Sequence, residues 1–320
     1  MRKVILDADP GIDDAISIMT ALGSSIDIIA VTTVNGNVNP KLGALNALTI
    51  LDSIGRTNIP VIPGATRSII NRTLPARIKK RKEYQHGKDG LGNLGIHKSS
   101  KLDLLRKKIS AAPSYLNFID DMARLYTSDE ISIIATGPLT NIARMLMYKP
   151  SFVDHIKEIC IMGGAFGFDR NKTIGSVTDY AEFNTYCDPE AAKIVLSSNL
   201  KAKIKIAGLN ITMKRKCGFD AKFVDRLCKD RSLRSNLILP LLNFKLSFNS
   251  VFYLHDVFAV VMLQRPSLFK FKRGNVNVIL NGKMRGYTKF CENSRSGNIL
   301  AAVDVNEEEF KNFLLNRLVF

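Results

Sequence analysis

Tryptophan is absent from this chain, so indole stacking is excluded as a way to hold a planar ligand; 17 Phe and 8 Tyr leave other rings for that task. Cysteine is sparse. Cys160, Cys187, Cys217, Cys228 and Cys291 are scattered without a CxxC pair, which argues against a thiolate zinc centre. An odd number of thiols and no leader-like segment before the first apolar run lead us to expect reduced cysteines and a cytoplasmic protein. No apolar run approaches the ~18 residues of a membrane span, so none is expected. Repeats, low-complexity tracts and clear linkers are also missing. The 320 residues are 46% hydrophobic, ample for a large core, and one domain over 1–320 is the economical reading.

Acids are scarce too: 29 Asp and Glu against 46 Lys and Arg give a net charge of +17. Such a balance raises nucleic-acid binding as a function class. The excess, however, is concentrated between Arg72 and Ser110, where Tyr84 is the one aromatic, so the stacking platform of a single-strand binder is lacking. A solvated basic surface is the simpler reading, and neither a nucleic-acid nor a membrane partner is expected.

What is present is an alternation of periods. "RKVILDAD" is a short apolar run, "DDAISIMTALGSS" has helical spacing stopped at Gly23-Ser24-Ser25, and "IDIIAVTTV" is β-branched. "KLGALNALTILDSIG" then reads as a helix closed by Gly55, and "IPVIPGA" as a third strand. The pattern blurs from 67 to 112 and resumes with the strands "EISIIATGP", "KEICIMGGAF" and "AKIKIAGLNIT" separated by helices. From Phe219 to Phe269 the chain looks mostly helical, and "NVNVILNGKMRGYTKF" reads as a late hairpin turning at Asn281-Gly282. The expected fold is α/β: an open, mostly parallel, Rossmann-like sheet flanked by helices, with a small late β-hairpin.

Ligands of such sheets bind beyond the carboxyl ends of the strands. Polar residues cluster at those ends: Asp7 and Asp9, Asn35 and Asn37, Thr136, Gly163 and Gly164, and Asn210. "DADPGIDDA" places four aspartates within eight positions. A helix macrodipole accounts for Asp13 and Asp14 in a first turn. It does not account for Asp7 and Asp9 at a strand end, where buried carboxylates need protons or a cation. A hard divalent ion, Ca²⁺ or Mg²⁺, suits oxygen ligands. Asp256, set among apolar residues beside His255, is a third acid for such a site or one half of a structural Asp-His pair.

The motif "DADPGIDDA" resembles the D-x-D-P-G-x-D-D-A signature of the nucleoside hydrolases, the inosine-uridine preferring family. "VNGN" (34–37), "HGKDGLG" (86–92), "ATGPLTNIA" (135–143), "IMGGAF" (161–166), "AEFNTYCDPEAA" (181–192), "HD" (255–256) and "RGYT" (285–288) resemble that family in the same order. The resemblance implies Ca²⁺ held by Asp9, Asp14, the Thr136 carbonyl and Asp256, with Asp7 supporting the ligands. It implies Asp9 as general base and His255 as the group assisting departure of the base. Asp13 and Asn184 would hold the ribose hydroxyls, Glu182 its 5′ side, Asn37 the region near the metal, and Met162 the sugar pocket. Ser176 stands where the family often has Asn, so the 5′ contact would have a shorter reach. The implied substrate is a small ribonucleoside, purine or pyrimidine, or another N-riboside, and the implied assembly a homodimer or homotetramer. The indole stacking common among purine specialists of the family is unavailable here.

Some positions carry two readings. His86 and His97 in the basic segment are solvated, or His86 closes over bound ligand. Tyr84 is equally open. Phe166 and Phe168 belong to the core or to the ligand, and Phe244, Phe248, Phe252 and Tyr253 form a stripe more typical of core than of a stacking surface.

Overall fold

The computed structural model describes residues 1–22, 26–95, 101–168, 175–198, 200, 203–229, 233–293 and 295–319. The expected stop at Gly23-Ser24-Ser25 and His97 lie outside them. Eleven strands form among these residues: β1 (Arg2–Ala8), β2 (Ile26–Thr33), β3 (Val61–Pro63), β4 (Ile131–Ala135), β5 (Ile156–Met162), β6 (Lys203–Ala207), β7 (Phe219–Asp220), β8 (Val251–Phe252), β9 (Phe269–Val278), β10 (Thr288–Glu292) and β11 (Ile299–Val305). Nine of them build one sheet in the order β10-β9-β11-β6-β5-β4-β1-β2-β3. From β11 to β3 every neighbour is parallel; β9 runs antiparallel between β11 and β10.

Strand β1 shows why the sheet is parallel. Its residues from Val4 onward are buried without alternation, as a strand covered on both faces must be. Val4, Leu6 and Ala8 enter one apolar cluster and Ile5 another, so successive side chains feed the two layers. Helices α1 (Ile12–Leu22) and α2 (Pro40–Ser53) cover one face, as their spacing predicts. Helix Val257–Gln264 is apolar on all sides and packs against α1, β4, β5 and β6. Its burial carries Asp256, the residue before its first turn, from late in the chain to the rim where β1 ends.

The structure departs from the sequence reading in four places. The blurred stretch holds two helices, α3 (Ala76–His86) and Leu102–Ala111, each anchored by few buried side chains: Ile78 and His86, then Leu105. Polar-rich helices of this kind give almost no periodic signal. The region read as mostly helical also contains the β7–β8 pair. The late hairpin forms, but residues 279–287 link its strands in place of a two-residue turn, with Gly282 and Gly286 at φ +72° and +81°. A Cβ at Gly286 would stand 2.9 Å from the Tyr186 backbone, so this loop docks on helix Phe183–Cys187. Finally, β11, from "NILAAVDV", joins the hairpin to the parallel strands as a strand beyond those expected. Among the described residues all five cysteines are free and no helix is long and apolar enough to cross a membrane.

Phe258, fully buried and stacked on Phe310 at 4.3 Å, tests how tightly this late helix is held. Phe258→Ala should lower unfolding free energy by about 3–5 kcal/mol in a urea melt. A loss below ~1 kcal/mol would mean the helix is not locked into the core.

Candidate active site

Asp9 follows β1 directly, and its Oδ2 accepts the backbone N–H of Asn37 at 2.6 Å. Its Oδ1 is buried with no partner. Asp14, in the first turn of α1, accepts the Gly11 N–H at 2.9 Å and the Thr136 hydroxyl at 2.7 Å. Asp7 lies one step deeper in β1, where its Oδ1 accepts from Thr32 and from Asn141 Nδ2 at 2.7 Å. Asn141 also donates to the Thr33 carbonyl and accepts the Ala65 N–H, stitching three segments beneath the acids. It lies inside the motif "ATGPLTNIA", whose spacing gives no sign of this pairing.

These acids are costly together. Burial raises the Asp7 carboxyl to about 7. Burial and then the charge of Asp14 push Asp9 well above the carboxylate range, and burial raises Asp14 as well. Asp256 is pushed well up by burial, then by Asp14, Asp13 and Asp9, so the four sense one another's charge across the rim. Asp13 behaves oppositely. Burial works to raise it, but Lys245, its Nζ 2.7 Å from Asp13 Oδ1, together with His86 and His255, holds the carboxyl at about 2.

A cavity of about 370 Å³ opens above this cluster. Of the residues expected to bind substrate, Asp13, Asn37, Met162, Ser176, Glu182, Asn184 and His86 line it, as do Thr136, His255 and Asp256; Asp7, Asp9 and Asp14 do not. Asn184 donates through Nδ2 to the Thr136 carbonyl at 2.7 Å and to Met162 O at 3.3 Å, tying β4 to β5. Glu182 is also a helix cap: its carboxylate accepts the N–H groups of Asn184, Thr185 and Gly164 at 2.7–3.1 Å. Burial raises its carboxyl, and these amides oppose the shift. The Ser176 hydroxyl oxygen accepts the Phe183 N–H at 3.1 Å. Both polar ends expected at the sugar's 5′ side therefore already hold backbone in place.

His86 is buried, and its Nδ1 accepts the Ile12 N–H at 3.2 Å, so the solvated reading is set aside. Burial, aided by Lys245, lowers its imidazole to about 3. His255 pairs through Nδ1 with the Thr212 hydroxyl at 2.8 Å, and its backbone N–H donates to Asp13 Oδ2. Burial lowers its ring to about 4, so it is uncharged at neutral pH and offers a hydrogen bond. Phe166 is fully buried core and does not reach the cavity. The later aromatic stripe is split: Phe244 packs toward the core, while Phe248, Phe252 and Tyr253 line the cavity. Tyr84 meets Phe248 with ring centroids 4.3 Å apart, and both are well exposed, at 52% and 39%. Lys82, Lys245 and Thr212 carry no distinct sequence signal: Lys82 is one of four consecutive basic residues, Lys245 stands in an apolar helical stretch, and Thr212 ends a stretch that reads as a strand.

Comparison with known proteins accounts for this arrangement. The family model described as inosine-uridine preferring nucleoside hydrolase matches residues 4–312. The chain belongs to that family. It is 35% identical over 294 residues to Uridine nucleosidase 1 of Arabidopsis thaliana, covering 90% of this chain and 81% of that protein. It is 31% identical over 331 residues to a pyrimidine-specific ribonucleoside hydrolase of Escherichia coli, covering 99% and 98%. Its fold matches a purine-preferring ribonucleoside hydrolase from Gardnerella vaginalis with a TM-score of 0.87 at 27% identity, over 99% and 98% of the two chains. This nucleoside hydrolase is thus an N-glycosyl hydrolase acting on ribonucleosides.

Nucleoside hydrolases are typically metal-dependent, and the donor set here fits a hard cation. Asp9, Asp14, Asp256 and the Thr136 carbonyl offer oxygen alone, and one Asp9 oxygen is buried and unpartnered. Among the described residues no three His, Cys, Asp or Glu side chains are already closed into a metal cage, so the oxygens are grouped without converging on a point. Gly36 tests how strictly Asp9 is aimed. A Cβ there would fall 1.9 Å from Asp9 Oδ2. Gly36→Ala should reduce ribonucleoside hydrolysis by about 10²-fold, the cost of moving a reacting group by ~1 Å, while the melting temperature changes little. Undiminished turnover would show that the carboxylate position is not critical.

Proposed function

We propose that this nucleoside hydrolase is calcium-dependent and cleaves pyrimidine ribonucleosides, uridine foremost, to free base and ribose. The buried carboxylate cluster carries this reading: Asp9, Asp14 and Asp256 are buried together, the charge of Asp14 adding to burial in raising the other two, under a cavity with Asp13 and Asn184 in its wall. Relatives named for uridine and pyrimidine substrates support the base preference.

Asp9, Asp14, Asp256 and the Thr136 carbonyl would hold the calcium ion, with Asp7 supporting from behind. Bound there, the ion supplies positive charge that makes a water molecule more acidic. The residues then divide the work. Asp9 takes the water's proton as general base. Asp13, kept ionised by Lys245, and Asn184 accept and donate hydrogen bonds to the ribose diol and fix the sugar. Asn37 stands beside Asp9, Met162 lines the sugar, and Glu182 and Ser176 meet its 5′ end. His255 hydrogen-bonds to the base as it leaves. His86, braced by the Ile12 amide, and the Tyr84–Phe248 pair shape the mouth. Cleavage develops oxocarbenium character on the sugar, and carboxylates beneath the ring stabilise it.

Free ribose released from inosine, adenosine, guanosine, uridine and cytidine, with EGTA and after calcium is restored, is the deciding measurement. Uridine should react fastest, EGTA should abolish turnover, and calcium should restore it. A rate indifferent to chelation would reject the cation. Asp9→Asn should lower kcat by at least about 10³-fold with the fold intact, combining the loss of the base with that of a ligand. 2′-Deoxyuridine leaves Asp13 without its hydroxyl partner and should react about 10⁴-fold more slowly than uridine; a difference below ~10-fold would remove Asp13 and Asn184 from the ribose clamp.

A further inference from the structure

The cavity wall carries two chemically distinct sets of residues. Asp13, Asn184 and Glu182 are polar and acidic, while Tyr84, Phe248 and Tyr253 supply rings. Under the function proposed above, the first set holds ribose and the second the base, and the glycosidic bond falls where the two sets meet. Lys245 is on helix Leu233–Leu246, three residues before Phe248, and its Nζ reaches across to Asp13 Oδ1 at 2.7 Å. Its side chain is 12% exposed and still lines the cavity. The other cations among the described lining residues are placed differently. Arg81 is exposed, and the Lys82 ammonium donates to the Gly36 carbonyl at 2.9 Å. A largely dehydrated ammonium at the sugar–base junction requires an explanation, because a surface lysine would have met Asp13 at less cost.

We infer that Lys245 is a catalytic residue of the proposed reaction, its ammonium neutralising the negative charge that develops on the departing base. The C1′–N bond breaks and its electron pair passes to the base nitrogen. A water oxygen bonds to C1′, and the proton of that water goes to Asp9. The base leaves as a monoanion paired with the ammonium and then takes a proton from solvent, while Asp9 returns its proton to solvent. The ion pair with Asp13 holds the ammonium in place before charge develops, so no reorganisation is needed as the bond breaks. The substrate class follows from the same charge. Bases whose glycosidic nitrogen is conjugated to a ring oxo group spread the anion over nitrogen and oxygen and benefit from a nearby cation. Uracil and its 5-substituted relatives are of this class.

The dependence of rate on the leaving group tests the assignment. Lys245→Met and wild type are compared on uridine, 5-fluorouridine, whose base is more acidic, and 4-nitrophenyl riboside, whose phenolate needs little help. Loss of one preorganised charge partner should lower kcat on uridine by about 10²–10³-fold, with smaller losses on 5-fluorouridine and the smallest on 4-nitrophenyl riboside. Lys245→Arg, which keeps the charge, should retain the wild-type ratio of uridine to 4-nitrophenyl riboside rates. Equal losses on all three substrates, or a loss expressed as raised KM alone, would overturn the assignment and leave Lys245 as a residue that positions Asp13. If circular dichroism shows that Lys245→Met does not fold, Lys245→Gln serves the same comparison. A wild-type chain that frees no ribose from any of the three substrates would reject the underlying function, and this role with it.

Discussion

Several carboxylates are buried side by side at the end of one parallel strand, and the rest of the site is organised around their repulsion. A lone buried carboxylate either takes up a proton or acquires a partner, and a cluster makes each choice harder for its neighbours. The chain resolves the problem residue by residue. Asp13 is given Lys245 and stays ionised. Glu182 is given three backbone amides. Asp7 is given Thr32 and Asn141. Asp9 and Asp14 accept donors as well, yet burial and the charge of Asp14 keep Asp9 and Asp256 well above the carboxylate range, as the proposed cation site would require.

Rigid elements hold the acids, and looser ones hold the cavity wall. Asp9 and Asp14 sit between β1 and α1, both buried throughout their length near the site, and Asp256 is carried by a helix apolar on every side. Small displacements there would need the core to move. The mouth is formed by α3 and by residues 248–253, and α3 is the more slightly anchored, Ile78 and His86 being its buried side chains. The proposed function thus places the chemistry common to all ribonucleosides on the stiff part and the choice of base at the mouth.

The excess of positive charge takes a different meaning in three dimensions. Described basic residues in the segment from Arg72 to Ser110 are mostly exposed, yet Lys82 turns inward to the cavity. Lys245, from a separate helix, adds a second positive group facing the acids. A composition that invited nucleic acid is in part the counter-charge of a small-molecule site.

The quoted motif was sufficient to announce four crowded aspartates, and apolar runs of alternating period were sufficient to announce a parallel sheet, because both signals are local in the chain. Strand ends, the helices α1 and α2 and the acid near residue 256 were legible for that reason. What pairs with what was not. Lys245 with Asp13, Thr212 with His255 and Asn141 with Asp7 all depend on segments brought together from far apart, and no spacing records a distance across a fold. The uncharged state of His255 likewise follows from burial, which the tertiary packing alone decides. The sequence by itself determined which charges must be buried; the tertiary structure decided which of them would be neutralised from within.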